Sequence, residues 1–355
     1  MSLAPRLTVD LDAIAANWTA LDARSAPDVE TAAVVKADAY GLGAERVGPA
    51  LARAGARSFF VALPTEGIAL RRALDAAGHG GAAVYVLGGY LADDRAAFAS
   101  ARLRPVLNSV AQLQAWVAGP AGPAALQLDT GMNRLGIEAS ELAALGALPG
   151  CVALVMSHLA CADAPDHPMN TAQHEAFVEM TTAIDRPLSL AATGGTLLDP
   201  AFHFAMTRPG IGLYGGLPFA DATPVVPLDA TVTLVRAVLP GVAVGYGATW
   251  TATHPARIAT LSIGYADGLP RIAGNAAFGQ AIATHDGRPL PYAGRVSMDL
   301  ISIDVTACPD IVEGDRVQIL SPEMPIDRVA EVCGTIGYEI LTSLGARYQR
   351  HYIGG

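Results

Sequence analysis

Thr31-Ala-Ala-Val-Val-Lys-Ala-Asp-Ala-Tyr-Gly-Leu-Gly43 opens on a short apolar, β-branched run and closes in a glycine-punctuated loop. A run of that length and composition reads as a buried strand. The helical pattern at 44–56 then completes one β/α unit. Lys36 stands at the mouth of the strand. A strand-end lysine ordinarily carries its ammonium out to water on a flexible stem. Composition gives this one a second reading, because 22 of the 23 basic residues are arginines and Lys36 is the single lysine of the chain. Arginine stays protonated and neither acts as a base nor attacks a carbonyl, whereas a desolvated lysine does both. A chain so committed to arginine that keeps one amine at a strand mouth points to chemical use of that amine.

The same unit recurs along the chain. A short strand at 3–9 precedes a helix near 12–23, with Asp10 as its cap. Apolar runs at 58–63, 83–87, 105–107, 124–128, 152–157, 188–191 and 204–207 alternate with alanine-rich helical patterns such as 66–77, 110–117 and 169–184. With the Lys36 strand these runs make eight, the number that closes a β/α barrel, although the alternation alone also fits a doubly wound sheet. The pattern changes after Tyr214. Residues 217–227 are rich in proline and read as a linker. Beyond them lie alternating runs at 230–239, 256–263, 280–284, 298–305 and 316–320, turn signals at Asp286-Gly287 and Glu313-Gly314-Asp315, and one short helix, Ile326–Cys333. The expected organisation is α/β: a (β/α)8 TIM-type barrel over 10–222, then a mostly β C-terminal domain over 223–355 that also takes the N-terminal strand 3–9.

At 355 residues, 52% of them hydrophobic, the chain has material for a sizeable core and for two domains. A net charge of −10, with no basic run or arginine–aromatic cluster, argues against a nucleic-acid partner. Charges or glycines interrupt each apolar stretch before it reaches membrane-spanning length, and the N-terminus lacks a signal-peptide pattern. The four cysteines, Cys151, Cys161, Cys308 and Cys333, have no C-x-x-C spacing and read as reduced residues of a cytoplasmic protein.

Several familiar constellations are absent. There is no G-x-x-x-x-G-K-[ST] loop, and Arg46 stands where a dinucleotide fingerprint after Gly41-Leu-Gly43 needs its third glycine. His174-Glu175 begins like a zinc-protease motif, but Val178 occupies the place of the second histidine. No G-x-S-x-G elbow occurs. His158 with Cys161 is too small a set for a metal, so none is expected. What remains is a group of polar residues at the ends of expected strands: Lys36 and Tyr40, Asp129 through Arg134, His158, Thr193-Gly194-Gly195, and Arg208-Pro-Gly-Ile211. The loops after the strands form the active face of a β/α barrel, and phosphate groups often sit near its last two strands. Thr193-Gly194 and Gly210-Ile211 hold those places with backbone N–H groups and a hydroxyl to offer. Singly each is a routine turn. Together with a unique lysine they suggest an aldehyde cofactor that bears a phosphate.

Ala33-Val-Val-Lys-Ala-Asp-Ala-Tyr-Gly41, Asp129-Thr-Gly-Met-Asn-Arg-Leu-Gly136, Arg208-Pro-Gly-Ile-Gly-Leu-Tyr-Gly215, Ser262-Ile-Gly-Tyr-Ala-Asp-Gly268 and Gly294-Arg-Val-Ser-Met-Asp299 together resemble alanine racemases, in order, from about Leu7 to Arg350. The resemblance implies an enzyme that uses pyridoxal 5'-phosphate to interconvert L- and D-alanine for cell-wall peptidoglycan, and a homodimer whose sites draw on both chains. Lys36 would hold the cofactor as an internal aldimine and act as one base. Tyr246, reaching in from the partner subunit, would be the other. Two bases on opposite faces of a planar carbanion are what racemisation requires. Arg208 would face the pyridine nitrogen, and a permanent cation there disfavours protonating that nitrogen. Arg134 would bond the phenolic oxygen and help hold the substrate carboxylate, with the backbone of Met298 from the other chain; Asp299 would also be on the substrate side. His158 would stack on the ring and bond Tyr246. Tyr40, Thr193, Gly194, Gly210, Ile211 and Tyr338 correspond to the phosphate end, and Tyr265 to the substrate entrance.

Departures from the family pattern are equally specific. Gln127 occupies the place where some members carry a carbamoylated lysine that steadies the arginine matching Arg134; an amide still accepts a hydrogen bond but neutralises nothing. Ser189 stands where some relatives have a histidine supporting the pyridine-facing arginine. Leu42 replaces a histidine between the first two glycines, and the phosphate loop reads Ala191-Ala-Thr-Gly-Gly-Thr196. Rival readings are a serine or broad-specificity racemase, a non-catalytic PLP carrier, and a decarboxylase on a related scaffold. A carrier has no use for a second base, and no C-terminal motif for basic amino acids is present.

Overall fold

Short runs of four or five apolar residues form parallel strands because both faces are covered, and the strands Ser58–Val61 and Ala83–Val86 are buried at every position. A computed structural model describes residues 3–119, 122–276 and 281–355. It divides into two compact units, Ile14–Leu213 with Leu217–Ala222, and Met1–Ala13 with Tyr214–Gly216 and Thr223–Gly354.

In the first unit a parallel sheet runs in sequence order through Ala33–Val34, Ser58–Val61, Ala83–Val86, Leu103–Leu107, Ala124–Gln127, Val152–Met156 and Leu188–Ser189. The eighth strand, Met206–Thr207, closes the ring. On one side it pairs with Glu30–Thr31, and Ala32 N–H donates to Thr207 O at 2.9 Å. On the other, Ala205 N–H reaches Leu188 O at 3.0 Å and Arg208 N–H reaches Ala191 O at 2.8 Å. The eight-strand reading therefore holds against the doubly wound alternative. Helices such as Pro64–Ala76, Val110–Val117 and Pro168–Thr181 fill the connections.

The second unit is built on Leu228–Val238, eleven residues long, which pairs antiparallel with Arg316–Leu320 through its first part and with Ala256–Leu261 through its second. Ile301–Asp304 extends the sheet beyond Ala256–Leu261. Asp10 caps the helix Leu11–Asp22, its Oδ1 accepting from Ala13 N–H at 2.9 Å. Three features differ from the sequence reading. The strand Arg6–Asp10 pairs in parallel with Gln349–Ile353, a strand whose polar, half-exposed alternation left no buried face to detect. The proline-rich segment is not a loose linker in its second half, because Val225 and Val226 are buried and the carbonyls of Val225 and Pro227 accept from Asp10 and Thr8 N–H at 2.9 Å. The run at 298–305 is strand only over Ile301–Asp304, which leaves Met298 and Asp299 in a loop. Of the run at 280–284, Gln280 lies outside the described residues and the strand is Ala281–His285. Among the described residues no helix is long and apolar enough to cross a membrane.

Candidate active site

Lys36 follows the first barrel strand and begins an unusual turn. Ala37, Asp38, Ala39 and Tyr40 all have φ between 52° and 55° with ψ between 38° and 52°. The expected glycine-punctuated loop is thus a full left-handed turn made without glycine, at a cost of about 1–2 kcal/mol for each such residue. Local hydrogen bonds offset part of this. Ala39 N–H donates to Val35 O at 2.9 Å, Gly43 N–H to Asp38 O at 2.9 Å, and Ala44 N–H to the Asp38 carboxylate at 2.7 Å. The turn buries Tyr40 and brings its hydroxyl beside Gly210, where an added Cβ would lie 2.5 Å from it.

Asp129 shapes the loop that carries Arg134. Its Oδ1 accepts from Gly131 N–H at 2.8 Å and Asn133 N–H at 3.1 Å, and the chain then returns so that Ile137 N–H donates to Gln127 O at 2.9 Å. Gly136, at φ +124°, lets this return pass within a Cβ's reach of Asp129 N, 2.5 Å. Arg134 is left exposed at the loop tip. It makes no hydrogen bond to Gln127 or to any other described residue, so the amide does not take over the steadying role considered for it.

Arg208 is buried and, among the described residues, donates to neutral acceptors: the Ser189 hydroxyl, Ser157 O at 2.6 Å and Leu190 O at 3.3 Å. The Ser189 hydroxyl donates in turn to Met206 O at 2.6 Å and accepts from Arg208, so the position where some relatives have a supporting histidine here holds a neutral hydroxyl against that arginine. Burial without a carboxylate brings the Arg208 guanidinium down to about 9, still a cation at neutral pH. Behind His158 lies a polar chain that sequence reasoning missed. Gln173 donates to His158 O at 3.0 Å and to Thr130 Oγ1 at 3.3 Å, and Thr130 meets Ser157 Oγ, which donates to Leu128 O. The signal available was weak: a glutamine on the inner face of the helix Pro168–Thr181.

These side chains converge on one end of the barrel. His158 is pushed down to about 3, first by burial and then by the charges of Arg208, Arg134 and Lys36. Lys36 is lowered by burial and by Arg134, while Glu66 opposes the shift. The unfolded chain binds a proton on this imidazole below about pH 6.5 and the folded chain does not until about pH 3, so stability is lost as pH falls through that window. His158→Gln is expected to flatten the pH dependence of unfolding between pH 6.5 and 4 in protein free of added ligands, measured by urea denaturation. An unchanged slope would mean the imidazole titrates normally.

One expectation is corrected at the last two strands. The Gly210 N–H is not available to a ligand, because it donates to Thr193 Oγ1 at 2.9 Å, as does Gly212 N–H at 3.3 Å. Thr193 holds the two loops together and keeps its hydroxyl proton to offer. Thr193→Val leaves two buried N–H groups unmet, at about 1–3 kcal/mol each. Thermal unfolding should register a loss of about 2–6 kcal/mol, and a loss below about 0.5 kcal/mol would refute the assigned contacts.

Gly194 and Ile211 lie buried in the first unit, Gly194 on the short helix Thr193–Leu198 and Ile211 directly after Gly210. Tyr246, Tyr265, Met298, Asp299 and Tyr338 belong to the second unit. Tyr246 sits in a turn between Ala243–Val244 and Trp250–Thr251, with Gly245 and Gly247 at positive φ, and is 71% exposed. Tyr265 and Met298 share one construction. Tyr265 N–H donates to Ser297 O at 3.0 Å and Ala266 N–H to Met298 O at 2.9 Å, and a Cβ on Gly264 would strike both carbonyls at 2.4 Å. Arg347 latches the pair from outside, reaching buried Asp267 at 2.8 Å and exposed Asp299 at 2.7 Å. Asp299 is therefore committed to an ion pair with Arg347, a partner that its motif did not announce. Tyr338 lies on the short helix Gly337–Thr342 and is partly exposed.

The fold and this cluster define a class: a β/α-barrel protein whose strand ends gather one half-buried amine and two arginines, suited to an anionic ligand. The pattern describing the alanine racemase N-terminal domain matches residues 9–218, and that of the alanine racemase C-terminal domain matches 225–352. An alanine racemase of Dinoroseobacter shibae is 54% identical over 352 residues, covering 98% of both chains. The crystal structure of alanine racemase from Bartonella henselae with covalently bound pyridoxal phosphate superposes with a TM-score of 0.91 at 36% identity, over 99% of this chain and 100% of that one. The biosynthetic alanine racemase of Pseudomonas aeruginosa gives 0.89 at 39% identity, again over 99% and 100%. The chain belongs to the alanine racemase family.

Proposed function

We infer that this protein interconverts L- and D-alanine with pyridoxal 5'-phosphate as its cofactor. The observation that carries the reading is the cation cluster at the barrel mouth: Lys36, Arg134 and Arg208 act on a neutral His158. Glu66, the one carboxylate acting on Lys36, spends its oxygens on backbone N–H groups. The donor set fits the cofactor, which carries a phosphate and a phenolic oxygen that want cations, and an aldehyde that wants a deprotonated amine. Lys36 would hold the aldehyde carbon and Arg208 would face the ring nitrogen. Arg134 would meet the phenolic oxygen and the substrate carboxylate, and His158 would lie against the ring. Tyr40, Thr193, Gly194, Gly210, Ile211 and Tyr338 would surround the phosphate, with the Thr193 hydroxyl rather than Gly210 N–H as the donor between the last two strands.

The bound cofactor supplies an electron sink for the pair left when the Cα–H bond breaks. Lys36 Nζ takes or returns the α-proton on one face, its lowered pKa making the free base accessible. The Tyr246 hydroxyl serves the other face from a second copy of the chain. Arg208, a cation against the ring nitrogen, restrains that sink and limits transamination. Exposure of Tyr246 at 71% and Met298 at 54% supports a homodimer that covers them. Met298, Asp299 and Tyr265 would then border the substrate. The cytoplasm is the compartment that fits free thiols and a cofactor made inside the cell.

Proton NMR in deuterated water with PLP and L-alanine, L-serine or L-lysine tests the reading. Exchange of the α-proton with loss of chirality on alanine supports it. Comparable exchange on serine moves the assignment to a broader racemase, and a decarboxylated product or no exchange on any of the three overturns it.

A further inference from the structure

The helix that carries Glu66 explains only half of what its carboxylate does. Oε2 accepts from Ala62 N–H at 2.7 Å and from Leu63 N–H at 3.2 Å, the carboxylate half of a capping box at the start of Pro64–Ala76, whose N-cap Leu63 has no side-chain acceptor for the other half. Oε1 has no part in that cap. It accepts from Ala37 N–H at 2.8 Å, across to the loop that follows the neighbouring strand. Ala37 is the residue after Lys36 and the first of the left-handed turn, so this one bond fixes the plane of the Lys36–Ala37 peptide. Nothing in the helix requires it.

We propose that Glu66 is a positioning residue of the active site: through Oε1 it fixes the Lys36–Ala37 peptide and the left-handed turn, and thereby sets where the Lys36 amine and the Tyr40 hydroxyl stand. Two observations support this. The turn is held at its far end by Asp38 and Ala44, and at its near end by Ala39 N–H on Val35 O and by Glu66. Glu66 is also the carboxylate whose charge favours the Lys36 ammonium. Arg134 opposes it, and the His158 ring nearby stays neutral. The inference rests on the racemase reading for its consequence in catalysis, and on the hydrogen bonds for its structural content.

Glu66→Gln separates the two roles. The amide oxygen still accepts from Ala62 and Leu63, but its NH2 then faces Ala37 N–H, donor against donor. Hydrogen–deuterium exchange of the Glu66→Gln protein should rise at least tenfold over residues 36–43 and stay at the native level over 64–76, with thermal unfolding little changed. Capture of added PLP, followed at its visible band, should slow at least tenfold, and kcat should fall in both directions with KM nearly unchanged. Glu66→Asp keeps the charge but is one methylene too short for both contacts. It should share the faster exchange, while the pH midpoint of PLP capture stays native; in Glu66→Gln that midpoint should move to lower pH. Native exchange over 36–43 in Glu66→Gln, or loss of protection confined to 64–76, overturns the proposal and leaves Glu66 a helix cap. If the native protein racemises nothing, the activity reading fails while the exchange result still decides the structural one.

Discussion

Lys36→Arg is expected to end covalent capture of pyridoxal phosphate and to lower racemisation by at least about 10⁴-fold, although the charge is kept. The guanidinium stays protonated at any pH the fold survives, so it neither adds to an aldehyde nor accepts the α-proton. No other lysine exists in the chain to substitute. Lys36 is half-buried beside Arg134, and arginine at 36 keeps a cation there, so the fold should persist. The decisive measurement is the visible absorbance of the purified protein after incubation with the cofactor and removal of the excess. A band equal to the native one in Lys36→Arg would show that the amine lies elsewhere, which the composition excludes for side chains and leaves only the N-terminus.

Tyr246→Phe should slow exchange of the L-alanine α-proton by roughly 10²–10⁴-fold and that of D-alanine far less. The hydroxyl makes no hydrogen bond among the described residues and the ring is largely exposed, so the change should cost the isolated chain under about 0.5 kcal/mol. Any large effect is then a catalytic one. The asymmetry is the informative part, because each face of the planar carbanion needs its own proton carrier. Equal slowing of the two enantiomers would mean that Tyr246 shapes the site as a whole and that the two faces share a route for protons.

The barrel was legible because each buried parallel strand is a continuous apolar run with a turn signal after it, as at Phe59–Phe60 and Leu154–Val155. Lys36 was legible from composition, and the remaining site residues from motif resemblance. What escaped was whatever depends on a partner distant in sequence. The pairing of Gly210 N–H with Thr193 is a contact between two strand ends, and neither end records it. The left-handed turn at Ala37–Tyr40 escaped because alanine and tyrosine disfavour positive φ and one aspartate among them tolerates single left-handed positions rather than a run of four; tertiary contacts impose it. Glu66, Gln173 and Arg347 escaped for the same reason, since each acts through backbone groups or carboxylates that sequence patterns do not label.

The parallel pairing of Arg6–Asp10 with Gln349–Ile353 sets an order of events during synthesis. Every barrel strand has been made once Thr207 leaves the ribosome, yet the strand made first waits for the strand made last. At about 5–20 residues per second the stretch between the two strands takes roughly 15 to 70 seconds. Throughout that time Leu7 and Val9, both fully buried in the finished chain, have no neighbour along that edge. A nascent chain stopped near residue 222 should hold a protease-resistant barrel and a cleavable N-terminal strand, and deletions at the N-terminus should behave as lesions of the C-terminal unit.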